Sequence, residues 1–445
     1  MTWRKRRWWA LSWALWALLG FCLYRELPRD VGLKLCSLAL KADERPLGFV
    51  GDELVVSMNR SSDPLDQHLR RLRIWNARTG WLITEVGPFL LGRGFESDRT
   101  YMSLEHGYVV APPPLTDARF GTCTVCDLRT GAHALLPNGL ARVLGFHPVR
   151  PLVALATTSD PDVPSRVAIV DLRARTTLGG WSSPSAPSRE RESIAAAFFL
   201  HDADELLLML KSSGDKHRIV RCRWDGDLLP GSIDLGEGYY HFERPHGDHM
   251  IAIATDYDGE HRSRLEVRNW RTGQRVFATD VWNDHLHPDY FDWIGPPAAL
   301  ADDGRSIFAR GHGLVSLPGK GLLRDAVKGF ETRRMGVKAN AFWTEEHWGA
   351  LIGNFDAPRY MTLAQRSMRD GSLIVRLVPG IEPDVFSEHF DLTATWKGDV
   401  FEWPPLVNWP LLLLCQAVLA LPLVLLWALR RGRREGDQLL ASASP

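Results

Sequence analysis

The residues best suited to bind a metal lie in two groups near the middle of the chain. His241, His246 and His249, with Glu243, Asp248 and His261 around them, form the first group. His285, His287 and Asp289, between Asp284 and Asp292, form the second. Imidazole and carboxylate together suit zinc or another divalent ion. The expected ligand set is His241, His246, His249, His285, His287 and Asp289, although the spacings follow no fixed metal motif. Histidines and aspartates in exposed loops are the plainer reading of the same residues.

Other chemistry finds less support. Cys123 and Cys126 form a CxxC, a spacing used for zinc and redox work. They sit in the apolar run Thr122–Leu128, which reads as a strand, so residues three apart point to opposite faces and cannot share an ion. The other two cysteines outside the long apolar runs are Cys36 and Cys222. Four thiols allow three pairings, and sequence does not choose among them. Gly313–Lys320 has Pro318 where a phosphate loop needs glycine, and Gly321 in place of Ser or Thr. No Gly-x-Ser-x-Gly elbow and no paired-carboxylate signature occurs. Trp343–Trp348 offers two aromatic anchors, and a plain blade strand is its simpler reading. No catalytic residue and no cofactor is expected beyond the candidate divalent ion. With 53 basic and 53 acidic residues the net charge is zero, so no nucleic-acid partner is expected.

The elements that would position these groups are strands. Short runs such as Leu54–Met58, Leu72–Trp75, Val167–Val170 and Leu265–Val267 alternate or are β-branched, and Gly, Pro, Asp and Ser punctuate them. A strand followed by a polar turn recurs. Its clearest copies are Ile74–Gly80, Val125–Gly131 and Val267–Gly273; weaker ones end at Arg175, Gly226, Gly319 and Gly371. Asp or Asn opens such a turn by bonding its own backbone, and Gly supplies the positive φ. A second strand–turn–strand signal precedes several copies, as at Phe146–Ala154, Leu300–Ala309 and Gly51–Val56. Two hairpins per unit of about 48 residues, repeated seven times, indicate four strands per unit.

This pattern resembles the WD-repeat and WD-repeat-like propellers, and its Asp-x-x-Thr-Gly turn is shared with quinoprotein-like propellers. The resemblance implies an all-β, seven-bladed β-propeller of four-stranded blades over residues 45–402. Trp224–Asp225 is a Trp-Asp pair and Trp75–Asn76 is close to one. The Gly-His that opens a standard blade does not occur at the expected places, so the family's Ser/Thr-His-Trp-Asp network is not expected.

Two apolar runs flank that region. Residues 8–24 carry no charge over 17 positions, and residues 406–429 carry none over 24. Both are expected to be transmembrane helices in contact with membrane lipid. A cleaved signal peptide is the competing reading of the first. Pro410 falls in the first turn of the second run, and Pro422 is expected to kink it. Arg4–Arg7 precede the first run and Arg430–Arg434 follow the second, which puts residues 1–7 and 430–445 in the cytoplasm. The propeller is then extracytoplasmic, suited to a periplasm. Residues 25–44 read as a linker or closing strand, and the tail beyond Arg434 reads as too short to fold. The expected role is binding or scaffolding of a protein partner on a propeller face. The alternatives are a metal-assisted enzyme and a subunit of a membrane complex.

Overall fold

The computed structural model describes residues 3–27, 29, 32–42, 44–59, 69–90, 101–111, 122–136, 142–156, 165–183, 192–200, 204–212, 216–237, 239–242, 245–255, 262–282, 298–301, 303–309, 313–317, 321–325, 341–347, 361–377, 383–387, 391–395, 397–403, 407 and 409–442. Between helix α1 (Trp3–Glu26) and helix α2 (Trp409–Ser442) every regular element among them is a strand.

The strands form eight antiparallel sheets, met in chain order. Sheet 1 holds Glu44–Val50, Leu54–Asn59, Leu69–Asn76 and Leu82–Leu90. Sheet 2 begins at Met102, sheet 3 at Arg142, sheet 4 at Ser193, sheet 5 at Tyr239 and sheet 6 at Ala298. Each of these six is built from four consecutive strands. Sheet 7 has three described strands, Ala341–His347, Met361–Ser367 and Leu373–Arg376. Trp343 therefore lies in a strand.

Sheet 8 is assembled differently. Pro383–Phe386, Leu392–Thr395 and Asp399–Glu402 supply three strands, and the fourth, Lys34–Ser37, comes from the other end of the chain. Lys34 pairs with Phe401 and Ser37 with Asp399. Ser37 Oγ donates to Asp399 Oδ1 at 2.7 Å, and Lys34 Nζ lies 2.8 Å from the same oxygen. Residues 25–44 thus contain a closing strand.

Successive sheets pack face to face. Seven apolar clusters fill the joints, each drawing on two neighbouring sheets. One of them joins Phe49, Val55 and Trp75 of sheet 1 to Val385, Leu392 and Val400 of sheet 8, so the last sheet rests on the first. Runs of consecutive buried apolar residues, as in Leu152–Ala156 and Val167–Val170, need both faces of a sheet covered by its neighbours. The fold is a β-propeller.

The expected count of seven blades is corrected to eight sheets among the described residues. Gly371 falls between the last two described strands of sheet 7, and each of the other six turn anchors between the third and fourth strands of its sheet. In sheet 8 those two strands lie at opposite ends of the sequence, so no turn exists there to be counted.

The turns themselves form as their residues dictate. Asn76 Oδ1 accepts from the amides of Arg78 and Thr79, and Gly80 donates to the Asn76 carbonyl at 2.9 Å. Asp127, Asp171 and Asn269 act likewise, and Ser367 does so with its hydroxyl. The closing residue takes positive φ at Gly80 (73°) and Gly273 (74°), and even at Arg175 (59°), where an L side chain tolerates it poorly. Gly319 lies outside the described residues.

Several of these turns abut the outer strand of the preceding sheet. A Cβ at Gly80 would meet the Ser37 carbonyl oxygen at 2.9 Å, one at Gly226 the Gly180 oxygen at 2.7 Å, and one at Gly273 the Ile233 Cγ2 at 2.5 Å. Glycine there serves close approach between blades as well as dihedral freedom.

In α2, Trp409–Leu429 is 21 residues of mean hydropathy 2.5, long and apolar enough to cross a membrane. In α1 the apolar stretch Trp8–Tyr24 is shorter. Helix α2 continues unbroken through Pro422 to Ser442, which corrects the expectation of an unfolded tail. Arginine and leucine, good helix formers, lead the composition of its tail and extend a helix already nucleated, despite Gly432 and Gly436.

Candidate functional site

Of the expected metal ligands, only His241, His246 and His249 lie among the described residues, where no three His, Cys, Asp or Glu side chains gather to hold an ion. His241 lies in the first strand of sheet 5, paired with Ile253. His246 and His249 close a tight turn between the first two strands, exchanging backbone bonds of 2.9 and 3.1 Å. His249 Nδ1 sits 2.7 Å from the Gly304 carbonyl, so this nitrogen carries the proton and ties sheet 5 to sheet 6. Asp248 pairs with Arg271 at 2.6 Å; Arg271 stacks on Trp270, whose Nε1 donates to the Gly247 carbonyl at 2.9 Å. These groups are used in holding a turn. His285, His287 and Asp289 lie outside the described residues, as do Glu243, His261, Asp284 and Asp292.

The cysteines follow their strand geometry. Cys126 faces the joint between sheets 1 and 2, and Cys123 faces the joint between sheets 2 and 3. All six thiols are free. Burial pushes Cys123 and Cys126 up to about 12, and Asp127 adds to the shift at Cys126. Burial, with Asp225 and Asp227, raises Cys222 to about 11. A raised thiol pKa means less thiolate at any working pH, hence less nucleophile. We expect Cys123, Cys126 and Cys222 to stay unmodified by a maleimide at pH 8 in the folded protein and to react once it is unfolded. Mass-spectrometric detection of rapid native labelling at any of the three would contradict their burial.

Sequence reasoning missed two charged networks inside the blades. In sheet 1 the Glu44 carboxylate is fully enclosed. It accepts from Ser57 Oγ, from the Lys41 amide at 3.0 Å and from Arg73 Nη1 at 3.1 Å. Trp75 Nε1 in turn donates to Ser57 Oγ at 2.7 Å. A Ser–Trp hydrogen bond is therefore present in sheet 1, and it ends on a carboxylate where the WD-repeat network has a histidine. Alternation along Leu69–Asn76 places Arg71, Arg73 and Trp75 on one face, and that was the available signal. In sheet 5, nearly buried Glu266 gathers Arg268 at 2.7 Å and Arg264 and Arg275 at 3.2 Å each. Both networks join neighbouring strands of one blade.

The most distinctive geometry lies where the chain enters and leaves the propeller. In sheets 1 to 6 a turn anchor lies between the third strand and the fourth, and in sheet 7 between the last two described strands. In sheet 8 the third strand ends at Glu402, seven residues before α2, and the fourth begins at Lys34, eight residues after α1 ends. The helix pair stands in the place of the eighth turn. The connection touches sheet 7 through the Arg29 amide, which donates to the Arg376 carbonyl at 2.7 Å; the Glu402 amide, donating to the Leu33 carbonyl at 2.9 Å, extends the pairing within sheet 8.

The helices run antiparallel and touch. Trp16 Nε1 donates to the Gln416 carbonyl at 3.2 Å. The Gln416 side chain fills the space a Cβ on Gly20 would need. From that contact, Arg6 on α1 and Arg431 on α2 are each roughly 20 Å away along the helix axis, on the side remote from the propeller. Arg431 packs over Trp427.

No protein-family model matches the chain, and no curated protein matches it at a significant level. Many solved structures resemble it weakly. The β-propeller domain of the Trilobed protease from Pyrococcus furiosus, described as having an open velcro topology, is 12% identical, with a TM-score of 0.38 over 76% of this chain and 98% of that one. The hydrazine synthase of Kuenenia stuttgartiensis is 11% identical, with a TM-score of 0.41 over 86% of this chain and 98% of that one. At such values the fold is read from the sheets themselves.

Proposed function

We propose that this chain is a membrane-tethered, extracytoplasmic β-propeller that binds or scaffolds a protein partner, with both termini in the cytoplasm. One observation carries the tether: an antiparallel helix pair replaces the eighth turn and sets both basic clusters at its far end. Clusters so placed favour the cytoplasmic side of a bilayer. The binding role draws on the fold. A propeller presents turns from every blade on one face, and its buried charges Glu44 and Glu266 are engaged within blades.

The test is topological. A reporter fused after Pro445 is expected to be active only in the cytoplasm, and one inserted at Ser185 only outside it. The reverse pattern, or a cytoplasmic signal from both, would overturn the reading. For the binding role, in-cell crosslinking followed by purification of the full chain should recover a stoichiometric partner attached to the propeller. Recovery of the chain alone would count against it.

A further inference from the structure

Among the described residues outside the two helices, large exposed apolar side chains occur consecutively at one place, Trp81-Leu82-Ile83. Trp81 is 77% exposed, the highest value for any large apolar residue described. These residues directly follow the turn of sheet 1. That turn sits on the closing strand: Cys36 Sγ donates to the Ala77 carbonyl at 3.2 Å, and Gly80 lies against Ser37. Leu33, 63% exposed, lies three residues before Cys36, in the segment that arrives from α1. On the other side of the exit, Ile374 of sheet 7 is also exposed, two residues from the Arg376 carbonyl that holds Arg29. Arg78 and Arg369, both exposed, occupy the same position in the two turns that flank the exit.

An apolar run containing tryptophan, bordered by arginine, has the composition of a surface that sits at the bilayer interface. The indole ring favours the headgroup layer, and guanidinium pairs with lipid phosphate. Its place in the fold fixes the occupant. The segment from Glu402 to Trp409 has seven residue steps and spans at most about 25 Å, so the blades beside the exit cannot lie far from the lipid that α2 would cross.

We propose that Trp81, Leu82 and Ile83, with Leu33, Ile374 and the guanidinium of Arg78, form a second, monotopic contact with the phospholipid headgroup layer of the same membrane. This contact fixes the tilt of the propeller against the bilayer. It rests on the tethered reading above and adds a surface that the two helices alone do not require.

The experiment uses the full chain in lipid nanodiscs, with Ile83→Cys and, as a control, Leu135→Cys on the outer strand of sheet 2, where Leu135 is 70% exposed. The probe is a membrane-impermeant maleimide, and wild-type protein supplies the background. Ile83→Cys should react on the order of tenfold more slowly than Leu135→Cys. Adding Trp81→Ser should restore much of its rate. Replacing phosphatidylglycerol by phosphatidylcholine should raise the rate by about two- to threefold if Arg78 meets anionic headgroups, and Arg78→Ser should abolish that dependence. Equal rates at the two cysteines would overturn the lipid contact while leaving the tether intact. Failure of the chain to enter nanodiscs at all would instead overturn the tether. Equal nanodisc rates, with Ile83→Cys slowed only in whole cells, would replace the lipid by a protein partner.

Discussion

Glu44→Ala is expected to lower the stability of the propeller by about 3–5 kcal/mol, the range for breaking a buried charge pair from one side. The mutation removes the acceptor of three donors at once: Ser57 Oγ, the Lys41 amide and Arg73. Arg73 is only 18% exposed and would keep its contact with Glu85, whose side chain is 34% exposed. Ser57 would still accept from Trp75, and its own proton would be left with the Arg73 carbonyl, a long bond at 3.5 Å. A buried donor without an acceptor costs more than the bond it once made. Glu44→Gln can set its one acceptor oxygen toward the Lys41 amide and Arg73 and its NH2 toward Ser57 Oγ, and it loses the charge opposite Arg73, so about 1–2 kcal/mol is expected. Adding Arg73→Ala to Glu44→Ala should recover part of the loss, because the stranded cation goes with it. Denaturant melts of the four proteins in one detergent measure this. A loss below about 1 kcal/mol for Glu44→Ala would show that the carboxylate is solvated in solution.

Which features the sequence displayed follows from how far apart their parts lie along it. The strand-turn-strand units are local. Asn76 and Gly80 sit four residues apart and speak through one backbone bond, so both hairpins and their period are visible. The positive φ at Arg175 shows that the turn forms without the glycine that would favour it. Sheet 8 is the opposite case. Ser37 and Asp399 are partners separated by 362 positions, and no turn announces their pairing. The eighth blade stayed hidden for that reason, although the meeting of the chain ends was a consequence of ring closure.

The candidate site was less legible, for two reasons. Histidines at 241, 246 and 249 are close in sequence, but 241 lies in a strand and 246 and 249 at a reverse turn, and His249 is tied to the Gly304 carbonyl. Density of ligand-type residues along a β chain does not imply convergence, since successive side chains alternate between faces. The Glu44 network is the converse. Its members, Glu44, Ser57, Arg73 and Trp75, come from three strands of sheet 1 and span 31 positions, and a carboxylate stands in it where the WD-repeat pattern has histidine.

Gly80→Val is expected to cost about 3–4 kcal/mol and to act on ring closure. The αL conformation alone costs an L residue roughly 1–2 kcal/mol, and a β-branched one tolerates it worst. The rest is steric. The new Cβ would lie 2.9 Å from the Ser37 carbonyl oxygen and 3.2 Å from Cys36 Cβ, both on the strand that seals sheet 8. That obstacle is largely backbone, and backbone does not step aside as a side-chain end does. Gly273→Val meets the Ile233 Cγ2 at 2.5 Å, a side-chain methyl with some freedom to turn, so it should lose less, about 2–3 kcal/mol. Gly51→Ala, with φ at 60° and nothing within 4 Å, isolates the dihedral cost at about 1 kcal/mol. The order Gly80→Val, Gly273→Val, Gly51→Ala in thermal melts is the quantity to measure. Limited proteolysis adds a site-specific readout. If Gly80→Val displaces Lys34–Ser37 from Asp399–Glu402, cleavage near Lys41 should speed up at temperatures well below global unfolding, while Gly273→Val leaves it unchanged. Equal melting of all three variants would mean that the turns do not press on the preceding blades, and the close joint between sheets 8 and 1 would have to be given up with them.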